Sequence, residues 1–509
     1  EGANPYFGTC YNDYMQFFNL LAKEKRQQAL VTLDIELTDD TSFFSEALYA
    51  KNKQSQPSSP SFPNLTFPII PADNIGNLAT NGGFGTPVIF LGSPLSDNAQ
   101  PAINKRTSET LRLLMGIRQN INSHWQWESA YQYSYNDYYL GGPDTLIDRF
   151  NAALNGVGGP NNDQYYNPFS TALYIPALAN SQAVIDDFTD ISARKIRTSL
   201  HTWDAQITGE LFNLPAGPVK TAFGIQYRNE SNRQTLDQNS QDFNYAFVIG
   251  ASNSNDKRNI WGLFSEVLVP VTEQLNLQLA GRFEQYSGNT DNSFTPKLGI
   301  RWNPNEEISL RGSISRAFRA PSLHQTSSNT IATENIDTTF APIVTDGNSN
   351  LKPEEALIVN TGIVYNPSNN LTASLDYWRY DYDDIIIKEN AEGIFSADPY
   401  DERIIRDPNS GAVSRVDLNF INASSVLTDG VDFHLNYRMA TDYGQFTFTN
   451  NTSYIKRYDL TLKTGDSPVN AVGQRNALNI ARALPRWRSN FTVNWAKGDH
   501  QISTTARYI

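Results

Sequence analysis

Cysteine occurs once in the 509 residues, at Cys10, and histidine only five times. A disulfide framework is thereby excluded, and no CxxC pair is present to hold a metal or run redox chemistry. The motifs HExxH, GxSxG and the P-loop are also missing, so nothing points to an enzyme. No apolar run approaches the roughly 18 residues that a membrane-crossing helix needs. Hydrophobic residues make up 39% of the chain and mean hydropathy is −0.46. Positive charge is in deficit as well. The net charge of −13 and a pI near 4.9 argue against nucleic acid as a partner. The chain opens "EGANPYFG" with no Met, no basic n-region and no apolar h-region. The expectation is a fragment whose upstream part is missing. Cys10 then has either a partner in that part or a buried free thiol.

None of these absences excludes a membrane β-barrel, because only alternate residues of its strands need be apolar. Aromatics are abundant at 12%, with 25 Tyr and 27 Phe. In "TEQLNLQLAGRFEQYS", Leu275, Leu277, Leu279, Gly281 and Phe283 alternate with Asn276, Gln278, Ala280, Arg282 and Glu284. Period two places the two sets on opposite faces of a strand. The pattern recurs at Ala29–Leu37, Thr202–Leu211, Ile308–Ser315, Val431–Arg438 and Asn490–Trp495. About sixteen such strands are predicted, many of about 10–15 residues, against the usual 5–6.

The connections between them alternate strictly. Short turns rich in Asn, Asp, Pro and Gly are predicted at Thr38–Asp40, Asn213–Pro218, Pro270–Gln274, Asn303–Glu307, Asn366–Asn370, Ala440–Gly444 and Ala496–Asp499. Long polar excursions fall near 53–106, 134–195, 231–257, 317–352, 386–421 and 459–482, with a brief one at 288–292. Sorting of loops by end marks a large antiparallel transmembrane β-barrel with long extracellular loops and short periplasmic turns. The apolar faces then meet outer-membrane lipid, and Arg282 and Glu284 face a wet lumen. An Arg on the lipid face at mid-bilayer would cost about 2–4 kcal/mol.

Other clusters have ordinary readings. Asp381, Asp383 and Asp384 in "YDYDDII" are read as the extracellular end of a strand rather than a catalytic or metal site. Ser287–Ser293 and Asp346–Asn350 are rich enough in oxygen for structural Ca²⁺ in extracellular loops, but they lack EF-hand spacing and read as solvated turns. Within Gly141–Gly156 a short capped helix is predicted, with Leu146, Ile147, Phe150 and Leu154 packing a long loop down.

One phrase carries a family resemblance. "ISLRGSISRAFRAPSL" (Ile308–Leu323) resembles the strand and loop start of TonB-dependent outer-membrane receptors, and "SFTPKLGIRWNPNEEISL" precedes it as in that family. Asn348–Ile386, Ala423–Met439 (with Gly430 and Asp432) and Ala216–Ser231 are similar to further family strands, in order. The resemblance covers residues 190–509 well and 1–190 more loosely. It implies active import of a scarce nutrient, such as a siderophore, haem, vitamin, oligosaccharide or peptide. It also implies an inner-membrane energising complex that acts through a plug domain and coupling box. Neither is found in this sequence, and about sixteen strands stand against the family's roughly twenty-two. The expected register is the fourth to the nineteenth strand, making residues 1–509 an incomplete barrel domain. Arg282, Glu284, Arg301, Arg311 and Asp376 are candidates for contact with a plug or small ligand, or for ladders of the lumen wall. Arg316 and Arg319 end a lumen-lined strand, where they would bind an anionic cargo group or, the favoured reading, a plug or neighbouring loop. Strand alternation alone leaves a passive porin open, and more remotely a secreted carbohydrate-binding β protein.

Overall fold

The computed structural model describes residues 2–3, 10–11, 17–62, 68–80, 86–90, 92–95, 102–168, 179–247, 250–288, 291–327, 329–336, 339–406, 408, 411–462, 466–475 and 482–509. Sixteen long strands form its wall: β1 (Lys23–Thr38), β2 (Thr41–Ser58), β3 (Ala102–Asn122), β4 (Trp125–Thr145), β5 (Thr189–Leu214), β6 (Gly217–Leu236), β7 (Ser254–Pro270), β8 (Leu275–Tyr286), β9 (Ser293–Trp302), β10 (Ile308–Arg319), β11 (Glu354–Ser368), β12 (Leu371–Lys388), β13 (Val413–Thr441), β14 (Gly444–Thr461), β15 (Trp487–Lys497) and β16 (His500–Tyr508). Each pairs antiparallel with the next, and the strand order is that of a barrel. Its seam falls between β1 and β16. Among the described residues no backbone register joins these two strands, and every residue of both is exposed.

Registers carry the apolar alternation from strand to strand, because directly paired residues share a face. Leu279 opposes Val267 and Leu298, Leu298 opposes Ile314, and Ile314 opposes Val359. Leu375 opposes Phe433, and Phe448 opposes Val493. The other face pairs Gln278 with Gly299, Arg301 with Arg311, and Asp376 with Asp432. Leu279, Leu298, Ile300 and Ile314 remain 45–49% exposed, which is the form an outer face takes when its solvent is hydrocarbon. On the polar face, side chains reach one another across an intervening strand, as the concave side of a curled sheet permits.

All seven short turns lie at one end, as predicted, and an eighth joins β3 to β4 at Ser123–His124. Sequence reading missed it because the apolar and aromatic pattern runs almost unbroken across it. Gly444, at φ +117°, turns the chain after Asp442–Tyr443 in a conformation that side chains avoid. At the other end the strands outrun expectation. β13 has 29 residues and β5 has 26, and these two, with β4 and β6, extend well into segments expected to be loops. Above the hydrocarbon the strands meet water or packed loops rather than lipid, so the ladder continues while the lipid-facing stripe that signals it disappears.

The packed core lies in the loops rather than in the wall. The predicted helix is present at Ile147–Leu154, and it buries Phe150 and Leu154 against Ile70, Phe90, Tyr166, Val184 and Phe188. A second cluster joins the hairpin Thr330–Ile336/Thr339–Asp346 to Ile394, Ile404, Val416 and Leu418, with the hairpin's second strand running parallel to the start of β13. Among the described residues these two clusters form loop bodies on the barrel rim, and a third, smaller one packs Val426, Leu460 and Ala471 together at the loop end of β14.

Candidate functional site

The lumen face of β5–β8 carries a fixed charge network. Glu284 is only 4% exposed and accepts hydrogen bonds from Arg228, Arg282 and the Tyr286 hydroxyl. The Arg228 guanidinium lies 2.9 Å from both carboxylate oxygens, and Arg282 Nε lies 2.8 Å from one. Arg282 also donates to Gln226, which in turn donates to Asp204. These links cross β7 at Gly262, where a Cβ would stand 2.7 Å from the Arg282 guanidinium. Arg258 pairs with Glu230 at 2.8 Å and lies over the Tyr286 ring.

A second bridge repeats the design. Arg311 donates to both oxygens of Asp376 at 2.8 and 2.7 Å, across β11 at Gly362. Arg319 makes a two-point pair with Glu354. Of the residues singled out in sequence, Arg282, Glu284, Arg311, Asp376 and Arg319 are thus engaged with wall partners. Charge-assisted, two-point contacts of this kind are among the stronger polar links.

The other two behave differently. Arg301 opposes Arg311 in the ladder, and neither Arg301 nor nearby Lys297 has an ion pair among the described residues. With Arg311, Ser313, Asn360 and Asp376 they line an open recess of about 390 Å³ in the lumen wall. Arg316, expected on a lumen-lined strand end, opposes Leu357 and borders the outer groove lined by Leu279, Leu298 and Ile314. It shares the apolar face, whereas Arg319 shares the polar one. The strand's parity decides this, since Ile314 and Arg316 are two residues apart.

Sequence reading missed further lumen cations. Lys297 has the parity of Arg301 in "FTPKLGIRW", which was the available signal. Arg488 shares a recess with Trp378, Tyr380 and Asp432, whose Oδ1 is buried without a hydrogen-bond partner among the described residues. At the mouth, Arg106 and Arg194 oppose Leu140 from either side, and neither has a carboxylate partner among the described residues. His324, in the short helix Leu323–Ser327 above them, is pushed down by burial and by the Arg194 guanidinium, with Asp256 opposing. Among the described residues no group of three or more His, Cys, Asp or Glu is placed to hold a metal. Part of Ser287–Ser293 lies outside the described residues.

Wall, sorted loops and charged lumen together define a large outer-membrane barrel of the receptor type. The sequence model described as "TonB dependent receptor-like, beta-barrel" matches residues 31–509. The chain belongs to the TonB-dependent receptor family, and its place is the outer membrane of a Gram-negative bacterium. The probable TonB-dependent siderophore receptor PirA of Acinetobacter baumannii is 26% identical over 290 residues, 55% of this chain and 37% of the relative. The ferrienterobactin receptor of Escherichia coli is 24% identical over 253 residues, 49% of this chain and 29% of the relative. The chain thus matches well under half the length of these curated relatives. Among solved structures, the ferric enterobactin receptor PfeA of Pseudomonas aeruginosa superposes with a TM-score of 0.59 at 14% identity, over 95% of this chain and 57% of that one. A RagAB peptide transporter structure gives 0.57 at 10% identity, over 96% and 58%. At these identities the structural likeness is one of fold.

Proposed function

We propose that this barrel belongs to an active importer of an anionic iron–siderophore complex. Such an importer is energised through a plug and coupling box by an inner-membrane complex. The observation that carries the reading is the set of lumen and mouth cations that have no ion pair among the described residues: Lys297, Arg301, Arg488, Arg106 and Arg194. In a chain of net charge −13, cations left unpaired on one surface mark where negative charge is received. The two curated relatives named above are siderophore receptors, and a ferric catecholate is such an anion. Arg282, Glu284, Arg311, Asp376 and Arg319 hold the wall against which a plug rests, while Arg301 and Lys297 are free to touch plug or cargo. Residues 1–509 form one barrel domain, and the seam between β1 and β16 is where further strands complete it. An open edge in hydrocarbon leaves backbone groups unsatisfied at several kcal/mol each.

Uptake of iron-labelled catecholate siderophore by the full-length receptor tests this, in cells with and without the energising complex. Uptake is expected only with the complex, and Lys297→Gln/Arg301→Gln should lower it several-fold. Uptake that persists without the complex would make the barrel a passive pore.

A further inference from the structure

Arg311, Gly362 and Asp376 lie in one row of the lumen ladder, and their bridge closes over the glycine. A row further round the barrel has the same composition with one change. Asp432, Ser453 and Arg488 sit directly opposite one another on β13, β14 and β15, on the lumen face. Here the bridge stays open. Among the described residues neither Asp432 nor Arg488 has an ion pair, and Asp432 Oδ1 is buried without a hydrogen-bond partner. The middle residue explains the difference. A Cβ at Gly362 would stand 1.9 Å from Asp376 Oδ1, so that bridge needs bare backbone beneath it. Ser453 puts a side chain at the equivalent place and holds the two charges apart. Strands two places apart are separated by about 10 Å at the backbone, which leaves room for a small group between the side-chain ends.

The open pair belongs to a recess of about 300 Å³ whose other walls are Trp378, Tyr380, Ile455 and Pro485. The Trp378 indole lies across Gly430, where a Cβ would stand 2.5 Å from it, and the Tyr380 ring is 5.8 Å away between centres. Apolar walls with a few convergent polar groups are the usual build of a small-molecule site, and this volume falls at the small end of the range.

The charges select the occupant. A simple anion would satisfy Arg488 and leave the buried Asp432 oxygen unpaired, which is unfavourable. Asp432 also faces Asp376 directly across the ladder, and of these two only Asp376 is neutralised, by Arg311. A simple cation would answer Asp432 but meet Arg488. A molecule that carries both charges close together answers both.

We propose that this recess binds the ammonium and carboxylate of a free amino acid with an apolar or aromatic side chain. The carboxylate lies on the Arg488 guanidinium, the ammonium on Asp432, and the side chain against Trp378 and Tyr380. The site stands apart from the recess of Lys297 and Arg301. It shares with the import reading only Arg488 as a receiver of negative charge.

The test is isothermal titration calorimetry on full-length receptor in detergent, without the energising complex, so its result does not depend on uptake. The probes are L-phenylalanine, phenylpropionate, which lacks the ammonium, and phenethylamine, which lacks the carboxylate. The parent should bind L-phenylalanine at least about tenfold more tightly than either analogue. Asp432→Asn should remove the preference over phenylpropionate, and Arg488→Gln the preference over phenethylamine. Ser453→Gly should let Arg488 close on Asp432. It should weaken L-phenylalanine binding by at least about tenfold and leave the receptor no less resistant to unfolding in detergent. Phenylpropionate bound by the parent as tightly as L-phenylalanine would overturn the proposal and leave a plain anion site. No binding of L-phenylalanine to the parent, as when a segment of the full-length chain fills the recess, would overturn it too. Ser453→Gly binding L-phenylalanine as the parent does would remove this recess as the seat.

Discussion

At the scale of single residues, the lumen wall depends on what is small as much as on what is charged. Arg311 reaches Asp376 because Gly362 lies between them, and a Cβ there would stand 1.9 Å from Asp376 Oδ1. Gly362→Ala should therefore break the bridge and cost about 1–3 kcal/mol in a urea titration of the refolded barrel. Gly281→Ala is the control, since its nearest neighbour is a Phe294 ring carbon at 3.4 Å, and it should change stability by no more than about 0.5 kcal/mol. A loss as large at Gly281 would assign the effect to backbone entropy instead. In the extracellular loops, hydrogen bonds from Arg403 hold Asp401 down to about 2. A depressed carboxylate stabilises the fold above its unfolded value near 3.9 and loses that contribution as pH falls through the folded value. The loop around Ile404–Arg406 should resist pepsin near pH 4 and be cut near pH 2, whereas Asp401→Asn should be cut at both. Equal cleavage of the parent at both values would remove the pair from any structural role.

At the scale of elements, parity along a strand decides which substitutions the barrel accepts. Gln278 and Leu279 are adjacent in β8 and face opposite solvents. Leu279→Arg should cost about 2–4 kcal/mol of folding free energy in phospholipid vesicles, and Gln278→Arg close to nothing. Similar costs at the two positions would dismiss the assignment of faces. This parity was legible in the sequence wherever a strand crosses hydrocarbon, because there one face must be apolar and the other need not be. It was illegible at strand ends. Val416–Asn419 and Tyr138–Thr145 pair in unbroken register, yet there the strands pack against loops rather than lipid, burying Val416, Leu418, Asp144 and Thr145, so the stripe that hydrocarbon selects is no longer written. The helix Ile147–Leu154 was legible for the complementary reason, since Phe150 and Leu154 fall on one helical face and must bury it.

At the scale of the whole molecule, the sorting of connections sets the orientation. With Cys10 replaced by Ser, a membrane-impermeant maleimide should label Asn161→Cys on intact cells, within the loop body packed around Phe150 and Phe188. It should label Ser123→Cys, in the turn between β3 and β4, only after permeabilisation. Labelling of Ser123→Cys on intact cells would invert the barrel. The two loop bodies also place the protein's own packed cores outside the membrane, where water supplies the hydrophobic drive that lipid cannot.

Alternation, turn composition and loop lengths are local properties, so the chain by itself indicated about sixteen strands, the membrane-facing stripes and the end from which the long loops rise, but not the turn between β3 and β4. Which charges are spent and which are free was not local. Arg311 and Arg301 look equivalent in sequence, being members of adjacent strands on one face, but only Arg311 has a carboxylate two strands away with a glycine between. Likewise Lys53 and Arg233 are far apart along the chain, and they share one outward face only because four successive registers join β2 to β6. Coulomb energy depends on distance in space, and only the curled sheet sets that distance.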